Sequence, residues 1–275
     1  MLPLVLGGHS FIKQLGNDPM PSPAEADALV RRCLEMGIAW FDTTYLPERV
    51  MLGACLKRLQ ATAQARIIAW NFFHDFAPGE DVGGPLAWQS HHLERVLNEL
   101  GVERLHGLVV HLMGDADVDR QQVRLARDWH AAGLVAELGI WAPGENATSI
   151  WGKDNPFHFV VQPHNITTPG SLEKMAAYKA LGWRTLACSP FVRGYELDTL
   201  VSAWVRIGGP VASEARIALA DLLLRFSMFS PGVDQVIISM RKHAYVDQAS
   251  VSLARGRLSQ AEEALLVRLR GMSAQ

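Results

Sequence analysis

The chain has 275 residues, of which 49% are hydrophobic and 20% are charged, and its formal net charge is −2. A chain of this length can bury a large core without disulfides, and a charge near zero gives no electrostatic reason to expect nucleic acid or an anionic membrane as a partner. The three cysteines, Cys33, Cys55 and Cys188, are odd in number and lack metal-binding spacing. We therefore interpret them as reduced thiols of a cytoplasmic protein.

Short apolar segments alternate with amphipathic ones along the whole chain. Because the apolar segments lack a two-residue alternation, they are typical of parallel strands covered on both faces. The predicted strands are Leu4–Leu6, Ile38–Phe41, Ile67–Trp70, Gly107–His111, Glu137–Trp141, Phe159–Gln162, Thr185–Cys188 and Val236–Ile238. The predicted helices are Ala24–Met36, Arg49–Gln60, His91–Leu100, Val118–Ala132, Ser171–Leu181, Glu214–Phe226 and a terminal helix.

Capping boxes support two of these helices. Ser22 and Ser259 are each followed by a glutamate three residues later, which marks the beginning of a helix. Eight strand–helix units predict a single α/β domain over residues 1–275, folded as a (β/α)8 TIM barrel. A doubly wound open sheet is the alternative, but the segment Leu6–His9 lacks the glycine pattern that such sheets use to bind dinucleotides.

Polar side chains follow nearly every predicted strand. In a parallel barrel the carboxyl ends of the strands meet at one rim, and chemistry occurs there. Asp42 directly follows a buried strand, so it is poorly solvated and needs a partner. It either caps the next helix or orients a catalytic acid. The other rim residues are His9, Ser10, Thr43, Tyr45, Asn71, His74, His111, Trp141, Gln162, His164, Ser189, Arg193, Arg241 and Lys242.

The sequence resembles the aldo-keto reductase superfamily over nearly its whole length. The resemblance is carried by the order and spacing of several segments. These are Gly37–Thr44, Glu48–Gly53, Leu108–His111, Gly133–Gly139, Gln162, Ser189–Gly194 and Pro231–Ile238. The resemblance implies a barrel that binds NADP(H) across the carboxyl ends of its strands and reduces carbonyl groups with a tyrosine acid supported by Asp, Lys and His.

The resemblance also implies roles for individual residues. Asp42 and His111 match the family's aspartate and histidine. Tyr45 matches the family's tyrosine acid, although its spacing from Asp42 is two residues shorter than in the family pattern. Asn71 stands where the resemblance implies the lysine, so Asp42 would need another counter-ion, for which His9, His74 and Arg49 are candidates.

At the cofactor end, the resemblance assigns binding to several residues. Gln162 is expected to hold the nicotinamide amide, and Arg241 and Lys242 are expected to pair with a 2′-phosphate. The diphosphate cradle would comprise Ser189, Pro190, Arg193 and Gly194. Trp141–Ala142 replaces the family's amide-binding Ser-Asn pair, and Cys188 replaces the aromatic that stacks on the nicotinamide.

Three functions remain open from the sequence. The first is a diverged, NADP(H)-dependent carbonyl reductase in which Tyr45 or His111 donates the proton. The second is a non-redox lyase, isomerase or hydrolase on the same barrel, acting on a small polar substrate with His9, Asp42, Tyr45 and His111. A less favoured variant of it holds a metal on His9, Asp42 and His111. The third is a non-catalytic barrel that binds a nucleotide or a protein partner.

Overall fold

Eight parallel strands form a closed barrel in a computed structural model that describes residues 2–13, 20–71, 87–144, 148–151, 154–168, 170–192, 197–206 and 213–273. Each strand pairs with the next along the chain, and the first pairs with the last. The strands are β1 Leu4–Leu6, β2 Trp40–Thr43, β3 Arg66–Trp70, β4 Leu105–Val110, β5 Val135–Trp141, β6 Phe159–Pro163, β7 Arg184–Cys188 and β8 Gln235–Ile238. The predicted barrel is confirmed.

The described residues also form ten α-helices. They are α1 Pro23–Glu35, α2 Leu46–Arg58, α3 His92–Leu100, α4 Ala116–Ala131, α5 Thr148–Trp151, α6 Ser171–Ala180, α7 Leu197–Arg206, α8 Ser213–Phe229, α9 His243–Arg255 and α10 Gln260–Ser273. The prediction lacked α5, α7 and α9. The first of these is one turn long, too short for a helical period to show in the sequence.

Both predicted capping boxes are present. The side chain of Ser22 accepts from the backbone N–H of Glu25, while the glutamate accepts from the backbone N–H of Ser22. Ser259 and Glu262 repeat the arrangement at the beginning of α10. Among the described residues, no helix is long and apolar enough to cross a membrane.

Strand β2 lies two residues later than predicted, and this changes the setting of Asp42. The apolar run suggested a strand over Ile38–Phe41, whereas the ladder with β3 runs over Trp40–Thr43. Asp42 is therefore part of the strand and lies inside the barrel wall rather than beyond it. The expectation failed because a polar residue that faces a barrel mouth interrupts the apolar run without ending the strand.

The barrel interior is filled by side chains from alternate positions of the strands. Phe159 is fully buried in this interior, and a Cβ atom on Gly139 would come within 2.2 Å of its ring, so the neighbouring strand has to carry a glycine there. The inward-facing apolar residues are Val5, Trp40, Ile68, Trp70, Val109, Phe159, Val161, Leu186 and Ile237. The outer faces of the strands pack against the helices in a separate, larger core.

Candidate active site

Strand register determines which residues reach the barrel mouth. Asp42 pairs in register with Ile68, an inward-facing residue, and Trp70 follows two residues later on the same face of β3. Trp141 and Cys188, at the ends of β5 and β7, pack against the same interior cluster. A carboxylate, two indoles and a thiol thus meet at the carboxyl ends of the strands.

Asp42 has a neutral partner. It is 5% exposed, and its Oδ1 accepts a 2.6 Å hydrogen bond from Nε1 of Trp70. The pKa of Asp42 is raised to about 7. Burial is the main cause, the bond from Trp70 and the charge of His9 oppose it, and the charge of Glu48 adds to it. Asp42 is therefore a titratable group of the mouth rather than a helix cap.

A second acidic group lies beside the first. Nδ1 of His9 lies 3.0 Å from Oε1 of Glu48, whose side chain is fully buried. The other carboxylate oxygen accepts from the backbone N–H groups of Thr44, at 2.6 Å, and of Tyr45, at 3.3 Å. Glu48 thereby ties the loop after β1 to the beginning of α2.

Tyr45 lies next to this ion pair. Its ring centroid is 5.9 Å from that of His9, and the residue is 7% exposed. Burial and, to a smaller extent, the nearby charge of Glu48 raise the pKa of the Tyr45 phenol to about 12. This is the opposite of the acidified phenol that the family resemblance implies.

Asn71 does not face Asp42, contrary to expectation. Its Nδ2 donates to the carbonyl of His111 at 3.1 Å and to Oε1 of Gln122 at 3.2 Å, while its Oδ1 accepts from the backbone N–H of His111 at 2.6 Å. The side chain thus fastens the end of β3 to the end of β4. Adjacent strand residues point to opposite faces, so Trp70, one residue earlier, meets Asp42 instead.

His111 forms an aromatic wall with the tryptophans of the mouth. Its ring stacks on Trp141, with centroids 6.2 Å apart and planes 17° apart, and Trp141 lies 5.1 Å from Trp70. Burial lowers the pKa of His111, although a bond involving the Leu112 backbone and the charge of Asp119 oppose this. His111 is therefore a neutral imidazole at neutral pH.

The proposed counter-ions for Asp42 differ in their surroundings. Arg49 is fully buried and binds Glu99 at 2.6 Å and the carbonyl of Thr44 at 2.8 Å, so its charge holds α2 against α3. His74 lies outside the described residues. His9 is the candidate whose charge acts on Asp42.

The predicted nicotinamide contact is not at the mouth. Gln162 pairs in register with Ala187, an outward-facing residue, and is 4% exposed. Its Oε1 lies 3.5 Å from the hydroxyl of Tyr178 on α6. Gln162 therefore faces the helical layer, a placement that the apolar strand around it did not reveal.

The predicted diphosphate cradle follows β7. Ser189 is exposed, Pro190 is buried, and Arg193 and Gly194 lie outside the described residues. Ser189 has a φ of +57° and Val192 a φ of +64°. Such angles are strained for residues other than glycine, most of all for a β-branched one, and strain of this kind concentrates at functional loops.

Arg241 and Lys242 differ in what they contact. The Arg241 guanidinium donates to the backbone carbonyls of His9, at 3.1 Å, and of Ile12. It thereby holds the loop after β1. Lys242 is exposed at the beginning of α9, with its ammonium 5.8 Å from the ring centroid of Tyr245.

Sequence reasoning missed two residues of this site. In the sequence Glu48 belongs to one motif of the resemblance, and its place three residues after Tyr45, at the beginning of a helix, is the pattern of a capping carboxylate. Trp70 is the last apolar residue of the predicted third strand, and alternation from Ile68 places it on the inner face.

Two other features of the described residues lie apart from this chemistry. A cavity of about 620 Å³ opens at the amino-terminal ends of the strands, lined by residues that include Trp40, Arg66 and His106. Barrel enzymes carry their chemistry at the opposite end. No group of three or more His, Cys, Asp or Glu side chains among the described residues is placed to hold a metal ion.

No protein-family model matches this chain, and no curated protein matches it. Solved structures match over nearly its whole length. The aldo-keto reductase AKR11C1 from Bacillus halodurans, in its holo form, is 15% identical with a TM-score of 0.72, covering 97% of this chain and 91% of that one. The glycerol dehydrogenase AKR11B4 from Gluconobacter oxydans is 15% identical with a TM-score of 0.73, covering 97% and 90%.

A third match is an aldo/keto reductase from Klebsiella pneumoniae, solved in complex with NADP and acetate. It is 16% identical with a TM-score of 0.70, covering 98% of this chain and 91% of that one. This chain therefore has the fold of the aldo-keto reductases, as the sequence resemblance implied. At this identity the similarity extends to the fold.

Proposed function

We propose that this chain is a diverged aldo-keto-reductase-like oxidoreductase that reduces a small carbonyl substrate with NADP(H). The observation that carries the proposal is the convergence of Asp42, Tyr45, His9 and His111 on the mouth of a barrel with this fold. A carbonyl oxygen needs a proton when its carbon is reduced, and this mouth places titratable groups around one aromatic-walled space.

The residues present fit NADP(H) better at its phosphate end than at its nicotinamide end. Ser189 and Pro190 follow β7 on a strained loop, and Lys242 stands exposed at the beginning of α9, where a helix N-terminus favours an anion. The indoles of Trp70 and Trp141 lie 5.1 Å apart and are tilted by 56°, so they line the mouth with aromatic surface. Gln162 does not fit its expected role, because it faces the helices.

Each group of the mouth has a definable part in such a reaction. A bound reduced nicotinamide supplies a hydride. Tyr45, His9 and His111 are the available proton donors to the carbonyl oxygen, and Asp42 sets the local charge. The wall of Trp70, Trp141 and His111 excludes water from one side, which strengthens electrostatic interactions within the mouth.

The test is direct. Purified protein is mixed with NADPH, and the change in cofactor fluorescence is measured. NADPH absorbance is then followed with a panel of small aldehydes and ketones. Binding, with slow turnover that is lost in Asp42→Asn, supports the proposal. Absence of both binding and turnover would contradict it.

A second function is favoured by the burial of Asp42 beside a neutral partner. Burial raises the pKa of Asp42 to about 7, a suitable value for a general base, because the bond from Trp70 lowers the pKa only in part. This favours cofactor-independent proton transfer, as in a lyase, isomerase or hydrolase, with His9, Asp42, Tyr45 and His111 as the acid–base set. Loss of substrate in a screen without NADPH would select this function over reduction.

A further inference from the structure

We propose that His9 is the proton donor of this mouth and that Glu48, a residue the fold resemblance does not assign, is the residue that positions it. The inference deepens the proposed function and rests on it for the nature of the substrate. It assigns the acid to an imidazolium held by a buried carboxylate rather than to the Tyr45 phenol.

Glu48 is built to hold one orientation of the His9 ring. Its side chain is fully buried, and Oε2 is fixed by the backbone N–H groups of Thr44 and Tyr45. Oε1 lies 3.0 Å from Nδ1 of His9. Because Nδ1 faces this carboxylate, Nε2 is the ring nitrogen that can exchange a proton with a substrate. The His9 side chain is 31% exposed, so a substrate bound in the mouth can contact it.

The loop that carries His9 is seated closely against this carboxylate. A Cβ atom on Gly8 would lie 2.2 Å from Oε2 of Glu48 and 2.8 Å from the carbonyl oxygen of Asp42, so the close approach requires glycine. Arg241 holds the same loop through the carbonyls of His9 and Ile12. The imidazole is thus held through its ring and its backbone, as preorganised acids are.

Several charges face His9 from the elements around it. Burial lowers its pKa, and so does the charge of Arg241 from the loop after β8. Glu48 on α2 raises it through both charge and hydrogen bond, and Asp42 on β2 raises it as well. The net direction is upwards, so more of His9 is protonated at neutral pH than of a free histidine.

The pKa values of the two other candidate donors, Tyr45 and His111, are shifted in directions that make both groups poorer proton donors near pH 7. Burial and the charge of Glu48 raise the pKa of Tyr45 to about 12, so the phenol holds its proton more firmly than usual. Burial lowers the pKa of His111, so near pH 7 this ring is a neutral imidazole, which is a much weaker proton donor than an imidazolium. The same Glu48 that weakens Tyr45 as an acid supports His9.

The proposed step moves one proton from Nε2 of His9 to the oxygen of the substrate carbonyl. As the substrate carbon receives a hydride from a reduced nicotinamide, the π pair of the carbonyl bond moves to oxygen. That pair forms an O–H bond with the proton on Nε2 of His9. The former N–H pair stays on the ring, which becomes neutral and keeps its Nδ1 proton next to Glu48. In a cofactor-independent reaction, Asp42 would take the proton of the C–H bond next to a carbonyl group, and the same transfer from His9 would protonate the carbonyl oxygen as that C–H bond breaks.

The pairing of His9 with Glu48 is tested first by NMR titration of the His9 imidazole in the protein without cofactor, which needs neither substrate nor cofactor. The His9 resonance is identified by its loss in His9→Asn. We expect its pKa to fall in Glu48→Gln and to stay unchanged in Glu35→Gln, a matched change at an exposed residue of α1 that pairs with Arg32. A His9 pKa unaffected by Glu48→Gln would overturn the pairing.

The acid role is tested by turnover, in the NADPH assay and in the cofactor-free screen. His9→Asn should lose about 10²–10⁴ in kcat, and Tyr45→Phe should lose less. In Glu48→Gln the alkaline limb of the pH–rate profile should move to lower pH. Larger loss in Tyr45→Phe than in His9→Asn would overturn the assignment. A parent protein inactive in both assays would contradict the acid role and the proposed function together, while the titration still decides the pairing.

Discussion

The indole nitrogen of Trp70 donates a 2.6 Å hydrogen bond to Oδ1 of Asp42, which joins β2 and β3 across the barrel interior. The family resemblance implies a lysine as the partner of this aspartate. An ammonium would compensate the carboxylate charge and favour its ionised form, whereas a neutral N–H group provides a hydrogen bond alone. The raised pKa of Asp42, about 7, follows from burial with this partner.

This relationship predicts where a lysine would act. Trp70→Lys should place an ammonium beside Asp42 and increase NADPH-dependent aldehyde reduction, by less than the 10²–10⁴ or so that a tuned acid contributes. Asn71→Lys should give no gain, because that side chain faces the backbone of His111. NADPH absorbance with the two variants compares them. A gain in Asn71→Lys alone would show that the structural placement is wrong.

The contacts of Asn71 predict a structural role for its amide. Asn71→Ala removes bonds to both backbone groups of His111 and to Gln122 in a buried setting. We expect it to lower the free energy of unfolding by about 2–4 kcal/mol, because buried partners are left unsatisfied. Asn98→Ala, at an exposed position of α3, should change it by less than about 1 kcal/mol. Urea denaturation measures both, and equal losses would contradict the role.

The barrel was predictable from the sequence because its signal is repeated. Each strand is a short apolar run, and a misplaced boundary such as that of β2 does not alter the count. The direction of a single side chain is not marked by any repeated signal. Trp70 and Asn71 are consecutive residues that point to different sides, and an apolar run does not indicate which of its residues face inward.

Pairing between distant segments was also outside what the sequence could predict. His9 and Glu48 lie on different units of the barrel, and only the closure of the fold brings Nδ1 and Oε1 to 3.0 Å. Arg241 looked like a phosphate ligand because a basic loop is all that the sequence displays. Its carbonyl partners on His9 and Ile12 are backbone groups, which no sequence pattern marks.

The raised pKa of Asp42 predicts how stability depends on pH. Its ordinary value is 3.8, and the folded value is about 7. Between these values the folded protein binds a proton that the unfolded chain lacks, so this residue lowers the unfolding free energy as pH rises, and the penalty is complete above pH 7. A shift of this size corresponds to at most about 4 kcal/mol.

Asp42→Asn should therefore become more stable relative to the parent as pH increases from 5 to 8, since the amide oxygen can still accept from Trp70. Thermal unfolding of both proteins across this range measures the difference. A difference in melting temperature that is constant with pH would show that Asp42 titrates in the folded protein as it does in the unfolded chain.

The burial of His164 predicts that stability also depends on pH on the acid side, where it should rise with increasing pH instead of falling. The ring is fully buried, its Nδ1 lies 2.8 Å from the hydroxyl of Ser171, and burial lowers its pKa from 6.5 to about 4. The unfolded chain binds the proton first, so stability is full above pH 6.5 and declines by about 3 kcal/mol as pH falls to 4. His164→Asn should lose this dependence, and His243→Asn, at an exposed position, should retain it. Denaturant melts at pH 4, 5.5 and 7 test this.

Arg241 and Lys242 predict different effects on cofactor binding, provided that NADP(H) binds. Lys242 is exposed at the beginning of α9, and a contact with a 2′-phosphate would be absent from NADH. Lys242→Ala should therefore weaken the binding of NADPH by roughly tenfold and the binding of NADH little.

Arg241 already holds the carbonyls of His9 and Ile12. Arg241→Ala should therefore weaken both cofactors by a similar factor and displace the His9 loop. Fluorescence titration of each variant with both cofactors measures this. A loss confined to NADPH in Arg241→Ala would show that the guanidinium binds phosphate despite its backbone contacts.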